Sequence, residues 1–171
     1  MVVWIIGLSG AGKTTLANEV MRLVRERQKN VVLIDGDMVR EVFGNDLGYS
    51  MEDRLTNAKR ICQLGKLLDS QGIHVVCAIL SLFPETREWN RNNLQDYFEV
   101  FIDTPLSDLI ERDSKGIYGK FNKGEAKEVA GMDLPFPRPD NADLLINNTQ
   151  SREGLLQYAE PIAEKILNSS R

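Results

Sequence analysis

The chain has 171 residues, 42% apolar and 27% charged, the balance of one soluble globular domain with its own core. A net charge of −4 argues against a protein that wraps a nucleic-acid backbone, which needs a positive stripe. No apolar run reaches membrane-spanning length, and "MVVWIIG" at the start lacks the basic segment of a signal peptide, so no membrane contact and a cytoplasmic location are expected.

Val2–Ile6 is rich in β-branched residues and reads as a buried strand. From Lys13 to Gln28, Leu16, Ala17, Val20, Leu23 and Val24 recur at helical spacing, and Val31–Ile34 is a second buried strand. Asp53 to Ser70 is an amphipathic helix, with Leu55, Ala58, Ile61, Cys62, Gly65 and Leu68 on one face. Ile73–Leu80 is a third strand and Phe98–Ile102 a fourth, closed by Thr104-Pro105. Leu144–Ile146 is a weaker fifth, and Leu155 to Leu167 is a final helical region with Pro161 as a kink or break. Residues 111–141 are rich in Gly, Pro and Lys and lack periodicity, as expected of a lid or binding loop. Cys62 and Cys77 have no CxxC or Cys/His neighbours and read as packed thiols; His74, inside "GIHVVCAIL", reads as a core histidine. Alternating strands and helices predict a single α/β domain over 1–171, a parallel sheet with helices on both faces that gathers ligands at the carboxyl ends of its strands.

Directly after the first strand comes "GLSGAGKTT": Gly7, Leu8, Ser9, Gly10, Ala11, Gly12, Lys13, Thr14 and Thr15. Strand, Gly-x4-Gly-Lys-Thr and helix in register form a P-loop, whose backbone N–H groups and helix N-terminus cradle phosphates. Lys13 is expected to bridge the β- and γ-phosphates of ATP, and the Thr14 hydroxyl to ligate Mg²⁺. No guanine signature of the NKxD type follows, "NNTQ" at 147–150 being a poor substitute, and motors need more chain, which leaves a small kinase.

The second strand runs into two carboxylates, Asp35 and Asp37, separated by Gly36. If this strand lay beside the P-loop strand, both would stand near the transferred phosphate. One could serve the hydrated Mg²⁺ while the other orients the acceptor hydroxyl and takes its proton. Alternatively, Asp37 caps a helix starting at Met38.

In this order, "GLSGAGKTT", "DGDMVR", "NDLGYSMEDRLTN", "VFIDTP", "ERDSKGIYGK" and "GEAKEVAGMD" resemble the adenylyl-sulfate (APS) kinases over about Val3 to Asn141. The resemblance implies a P-loop NTPase fold of the nucleoside-kinase type with a lid over roughly 112–132, usually built as a homodimer. It also implies transfer of the γ-phosphate of ATP, with Mg²⁺, to the ribose 3′-hydroxyl of APS, a small-molecule nucleotide acceptor. By the same resemblance, Asp37 is the acceptor-side base and Asp35 the aspartate near the metal. Arg40, Tyr49, Arg54, Asn57, Ser81 and Lys127 face the acceptor, with Tyr49 where the family has a phenylalanine against the base. Lys115, Gly116 and Tyr118 keep the lid pattern, and Arg112 precedes it near ATP.

The departures cluster on the acceptor side. Where the family reads like "FISPYR", this chain has "ILSLFP", with Ile79, Leu82 and Pro84 in place of phenylalanine, proline and arginine. The lid's "KxFTG" is "KEVAG", so Val129 replaces an aromatic and Ala130 a threonine. This pattern is similar to what is expected of the relatives in capsule pathways that phosphorylate cytidine diphosphoramidate on its 3′-hydroxyl. Intact ATP motifs with altered acceptor motifs imply a retained reaction and an acceptor that is either APS or another activated nucleotide; the further alternatives are a non-catalytic nucleotide-binding protein, against which intact Lys13, Thr14, Asp35 and Asp37 argue, and a kinase of a non-nucleotide substrate, against which Arg40, Tyr49, Arg54 and Asn57 argue.

Overall fold

The computed structural model describes residues 1–113, 115–148 and 151–169. Five parallel strands form one sheet in the order β2-β3-β1-β4-β5. They are β1 (Val2–Ile6), β2 (Val31–Asp35), β3 (His74–Ile79), β4 (Tyr97–Asp103) and β5 (Leu144–Asn147). The central strand β1 is buried along its whole length and splits by alternation. Val3 and Ile5 pack with helices α1 (Lys13–Arg27) and α8 (Ala159–Leu167) on one face, while Val2, Trp4 and Ile6 pack with α3 (Met51–Ser70) on the other.

The third strand intervenes between β2 and β1, so the strand ending in Asp35 is not the neighbour of the P-loop strand. The crossover through α1 skips one position, and the chain fills it later by way of α3. The skipped position is what opens the ligand cleft: β3 floors it, with the P-loop on one side and the end of β2 on the other.

Several elements differ from the sequence expectation. Helices α2 (Gly36–Val42), α4 (Pro84–Asn93), α5 (Leu106–Arg112) and α6 (Ile117–Asn122) are too short or too polar to give a readable apolar stripe. The break in the last helical region falls before Pro161, between α7 (Arg152–Leu156) and α8, because a proline in the first turn of a helix displaces no hydrogen bond. The segment expected to be irregular holds α6, and its residue 114 lies outside the described residues, as do the last two positions of "NNTQ". Both cysteines are free and buried, and burial pushes the Cys62 thiol up to about 12. His74 is buried in β3. No helix among the described residues is long and apolar enough to cross a membrane.

Candidate active site

The P-loop turns tightly against its surroundings. A Cβ on Gly7 would stand 2.7 Å from the Ile102 carbonyl oxygen. At Gly12, where φ is +98°, it would stand 2.4 Å from Leu155 Cδ2. Both positions therefore demand glycine. The loop's carbonyl oxygens are engaged by side chains: Lys13 Nζ donates to Leu8 (2.8 Å), Tyr118 to Ser9 (2.9 Å) and the buried Asn148 to Ala11 (3.0 Å). The N–H groups at the start of α1 are thus the ones a phosphate would meet. Burial pushes the Lys13 ammonium down to about 8, helped by the charge of Lys115 and opposed by Asp35 and Asp37.

Asp35 caps α2, its carboxylate accepting from the Asp37 backbone N–H at 2.9 Å. The capping role considered for Asp37 therefore belongs to Asp35, and the helix begins two residues earlier than Met38. The other oxygen of Asp35 accepts from the Thr14 hydroxyl at 3.2 Å, across the gap above β3. Asp37 is freed by this turn: its side chain is 71% exposed and stands 3.8 Å from Lys115. That exposed ion pair stabilises little by itself and is easily exchanged for a ligand.

One cleft of about 360 Å³ joins these parts. Its walls are the P-loop, Asp35 and Asp37, then Arg40, Tyr49, Arg54 and Asn57, with Ala78 to Phe83 as the floor and Lys115 and Ile117 at the rim. Lys13, Arg40, Arg54 and Lys115 bring four cations against two carboxylates, so the cleft is positive in a protein of net charge −4. Two guanidinium groups lie over the Tyr49 ring, Arg40 at 4.7 Å and Arg54 at 5.6 Å from its centroid. Arg54 also donates to the Tyr49 and Glu128 carbonyls at 2.6 and 3.0 Å, tying this wall of the cleft to the segment around Glu128. Asn57 donates to the Gly36 carbonyl at 3.2 Å, and its side-chain oxygen is buried without a partner.

The sequence profile of the adenylylsulphate kinase family matches residues 1–147. The chain belongs to this family. An adenylyl-sulfate kinase of Deinococcus deserti is 43% identical over 93% of this chain and 89% of its own. A cytidine diphosphoramidate kinase of Campylobacter jejuni is 35% identical over 96% of this chain and 95% of its own. The solved structure of the Mycobacterium tuberculosis APS kinase CysC in complex with AMPPNP and APS superposes with a TM-score of 0.86 at 35% identity, over 98% of this chain and 97% of that one. The protein is accordingly a phosphotransferase with a nucleotide-binding P-loop kinase fold.

Among the residues singled out on family resemblance, Asp35, Asp37, Arg40, Tyr49, Arg54, Asn57, Ser81 and Lys115 share the cleft with the P-loop. Lys127 is exposed on a loop away from the cleft lining, and Arg112 is exposed at the end of α5. Tyr118, singled out with the lid pattern, is buried and braces the P-loop through Ser9. Val129 is turned away: it packs in the core cluster that contains Ala11 and Leu109. The sequence reading missed Ala58, Ile61 and Phe83, which line the cleft, and Asn148, which props the P-loop. Ala58 and Ile61 carried the signal of an ordinary core stripe. Asn148 carried none, because its partner lies 137 residues away.

Proposed function

We propose that this protein transfers the γ-phosphoryl group of ATP to the ribose 3′-hydroxyl of an activated nucleotide, with adenylyl sulfate as the first acceptor to consider. The observation that carries this reading is the single cleft in which the P-loop and the freed Asp37 face Arg40, Tyr49, Arg54 and Asn57. An aromatic platform beside two cations suits a base with an anionic anhydride and does not suit a small sugar or acid.

In this reading Asp37 accepts the hydrogen bond of the 3′-hydroxyl and takes its proton. The 3′ oxygen forms the new bond to the γ-phosphorus as the bond to the β–γ bridging oxygen breaks, and ADP leaves with that electron pair. Lys13 neutralises charge at the β- and γ-phosphates. Mg²⁺ fits the residues present: the Thr14 hydroxyl and Asp35 carboxylate are hard oxygen donors 3.2 Å apart. Its remaining coordination would come from the nucleotide phosphates and water. When bound it supplies charge neutralisation of the triphosphate. Lys115, drawn onto Asp37 in the free protein, is available to the transferred phosphoryl group once the acceptor takes its place.

A second acceptor, cytidine diphosphoramidate, is favoured by the core position of Val129. With that side chain packed away and aliphatic, position 129 offers no ring to the base, and the aromatic residues left in the cleft lining are Tyr49 and Phe83. One stacking face fewer costs about 1–3 kcal/mol and favours a base held mainly by its other contacts. Action as a homodimer in the cytoplasm completes the reading. Met38, Val42 and Phe43, exposed on and just after α2, supply apolar surface for pairing. The test is a 3′-phosphorylation assay with ATP and Mg²⁺ that compares APS and cytidine diphosphoramidate at equal low concentration. Transfer to APS by orders of magnitude more assigns the protein to sulfate activation, and the reverse assigns it to the amidated nucleotide. Transfer to neither overturns the reading.

A further inference from the structure

The loop that floors the acceptor end of the cleft is held in an uncommon conformation. Ser81, between β3 and α4, has φ +54°, a left-handed value that costs a residue with a Cβ about 1 kcal/mol or more. Its hydroxyl is buried and has no hydrogen-bond partner among the described residues, although Ser81 lines the cleft. Something outside the loop has to fix it there.

That element is Arg87. It lies one turn into α4, is 7% exposed, and forms no salt bridge among the described residues. A buried guanidinium without a carboxylate is an expensive arrangement that a structural role alone does not require, since an apolar residue would fill the space. Its two terminal nitrogens diverge to two backbone carbonyls: Nη1 donates to Ser81 at 3.1 Å and Nη2 to Pro137 at 3.3 Å. Pro137 is itself anchored. On one side Phe136 stacks on Phe101 of β4, with centroids 5.9 Å apart. On the other, Arg138 pairs with Asp103 at the end of β4. The planar fork of Arg87 therefore ties the Ser81 turn, on the acceptor side, to a segment clamped on the opposite half of the sheet.

We propose that Arg87 is a positioning residue for the acceptor: it holds the left-handed Ser81 turn against the clamped Phe136–Arg138 segment, so that the Ser81 hydroxyl and the Leu82–Phe83 wall are preformed for the incoming nucleotide. The proposal rests on the acceptor site described above and adds a residue that does not line it. Among the described residues neither side-chain hydrogen bond of Arg87 goes to the P-loop, so the ATP side is expected to be insensitive to it.

The experiment is steady-state kinetics of wild type, Arg87→Lys and Arg87→Met with ATP and with APS and cytidine diphosphoramidate in turn, alongside thermal unfolding. Lysine keeps the charge and reaches one carbonyl, whereas methionine keeps the volume and reaches neither. The acceptor KM is expected to rise about ten- to a hundredfold in Arg87→Met and by an intermediate factor in Arg87→Lys, with the ATP KM within about twofold of wild type. Equal changes in both KM values, or a lowered melting temperature with an unchanged acceptor KM, assign Arg87 to stability alone and overturn the proposal. If Arg87→Met does not fold, the Arg87→Lys comparison decides on the same criterion. Wild type inactive on both nucleotides removes the acceptor reading, and this proposal with it. Wild type active with unaltered Arg87 variants removes this proposal only.

Discussion

The P-loop lysine makes nucleotide binding depend on pH in a way that can be worked out. In the free protein Lys13 is pushed down to about 8 from its ordinary 10.5, chiefly by burial and next by the Lys115 charge. Phosphate oxygens favour the charged form, so binding restores the proton. With a free-state value near 8, the apparent affinity scales as 1/(1 + 10^(pH − 8)). From pH 7.5 to pH 9.5 it falls about 25-fold, or ~1.9 kcal/mol. At pH 8.5 the complex takes up about three-quarters of a proton. Titration calorimetry with AMPPNP, in buffers of different ionisation enthalpy, measures both quantities. Lys115→Met removes the second cause and is expected to move the break to higher pH. An affinity flat across this range, with no buffer-dependent heat, would refute the argument that Lys13 is held partly neutral. The same displacement has a stability consequence of definite sign. Between pH 8 and 10.5 the unfolded chain keeps the proton that the folded chain has released, so the Lys13 contribution to stability rises with pH through that window. Lys13→Met lacks that rise.

Asp37→Asn is expected to lower kcat about 10²–10⁴-fold with ATP affinity unchanged, in pre-steady-state and binding assays; retention of most of kcat would remove Asp37 as the base. Tyr49→Ala is expected to weaken acceptor binding by about 1–3 kcal/mol while AMPPNP binds as before, and a loss on the AMPPNP side instead would misplace the platform. Gly12→Ala meets both a φ of +98° and Leu155 Cδ2 at 2.4 Å. Backbone strain of about 1–2 kcal/mol and overpacking of about 1–3 kcal/mol are expected in denaturant unfolding. In a double-mutant cycle, Leu155→Ala should recover the overpacking part and leave the strain; purely additive effects would deny the contact.

Some of this protein was legible in its sequence because the signals are local. The buried run of β1, the Gly-Lys-Thr spacing after it and the periodic face of α3 follow from geometry within a few residues, and so the phosphate cradle and the helix carrying Arg54 and Asn57 could be read directly. The pair Asp35 and Asp37 stood out at the end of the second strand, and the family resemblance divided their roles, but the local geometry behind that division was not legible. Only the turn of α2 shows that Asp35 caps while Asp37 is released.

Tertiary structure alone decided what depends on order across the sheet. Inserting β3 between β2 and β1 makes the floor of the cleft out of Ala78 to Phe83, and no local pattern announces which strand will fill a skipped position. It also decided that Val129 packs in the core, that Asn148 props the P-loop and that Arg87 spans from Ser81 to Pro137. Asn148 and Arg87 join residues far apart in the chain through one or two directed contacts, and such contacts leave no periodicity for a sequence to display.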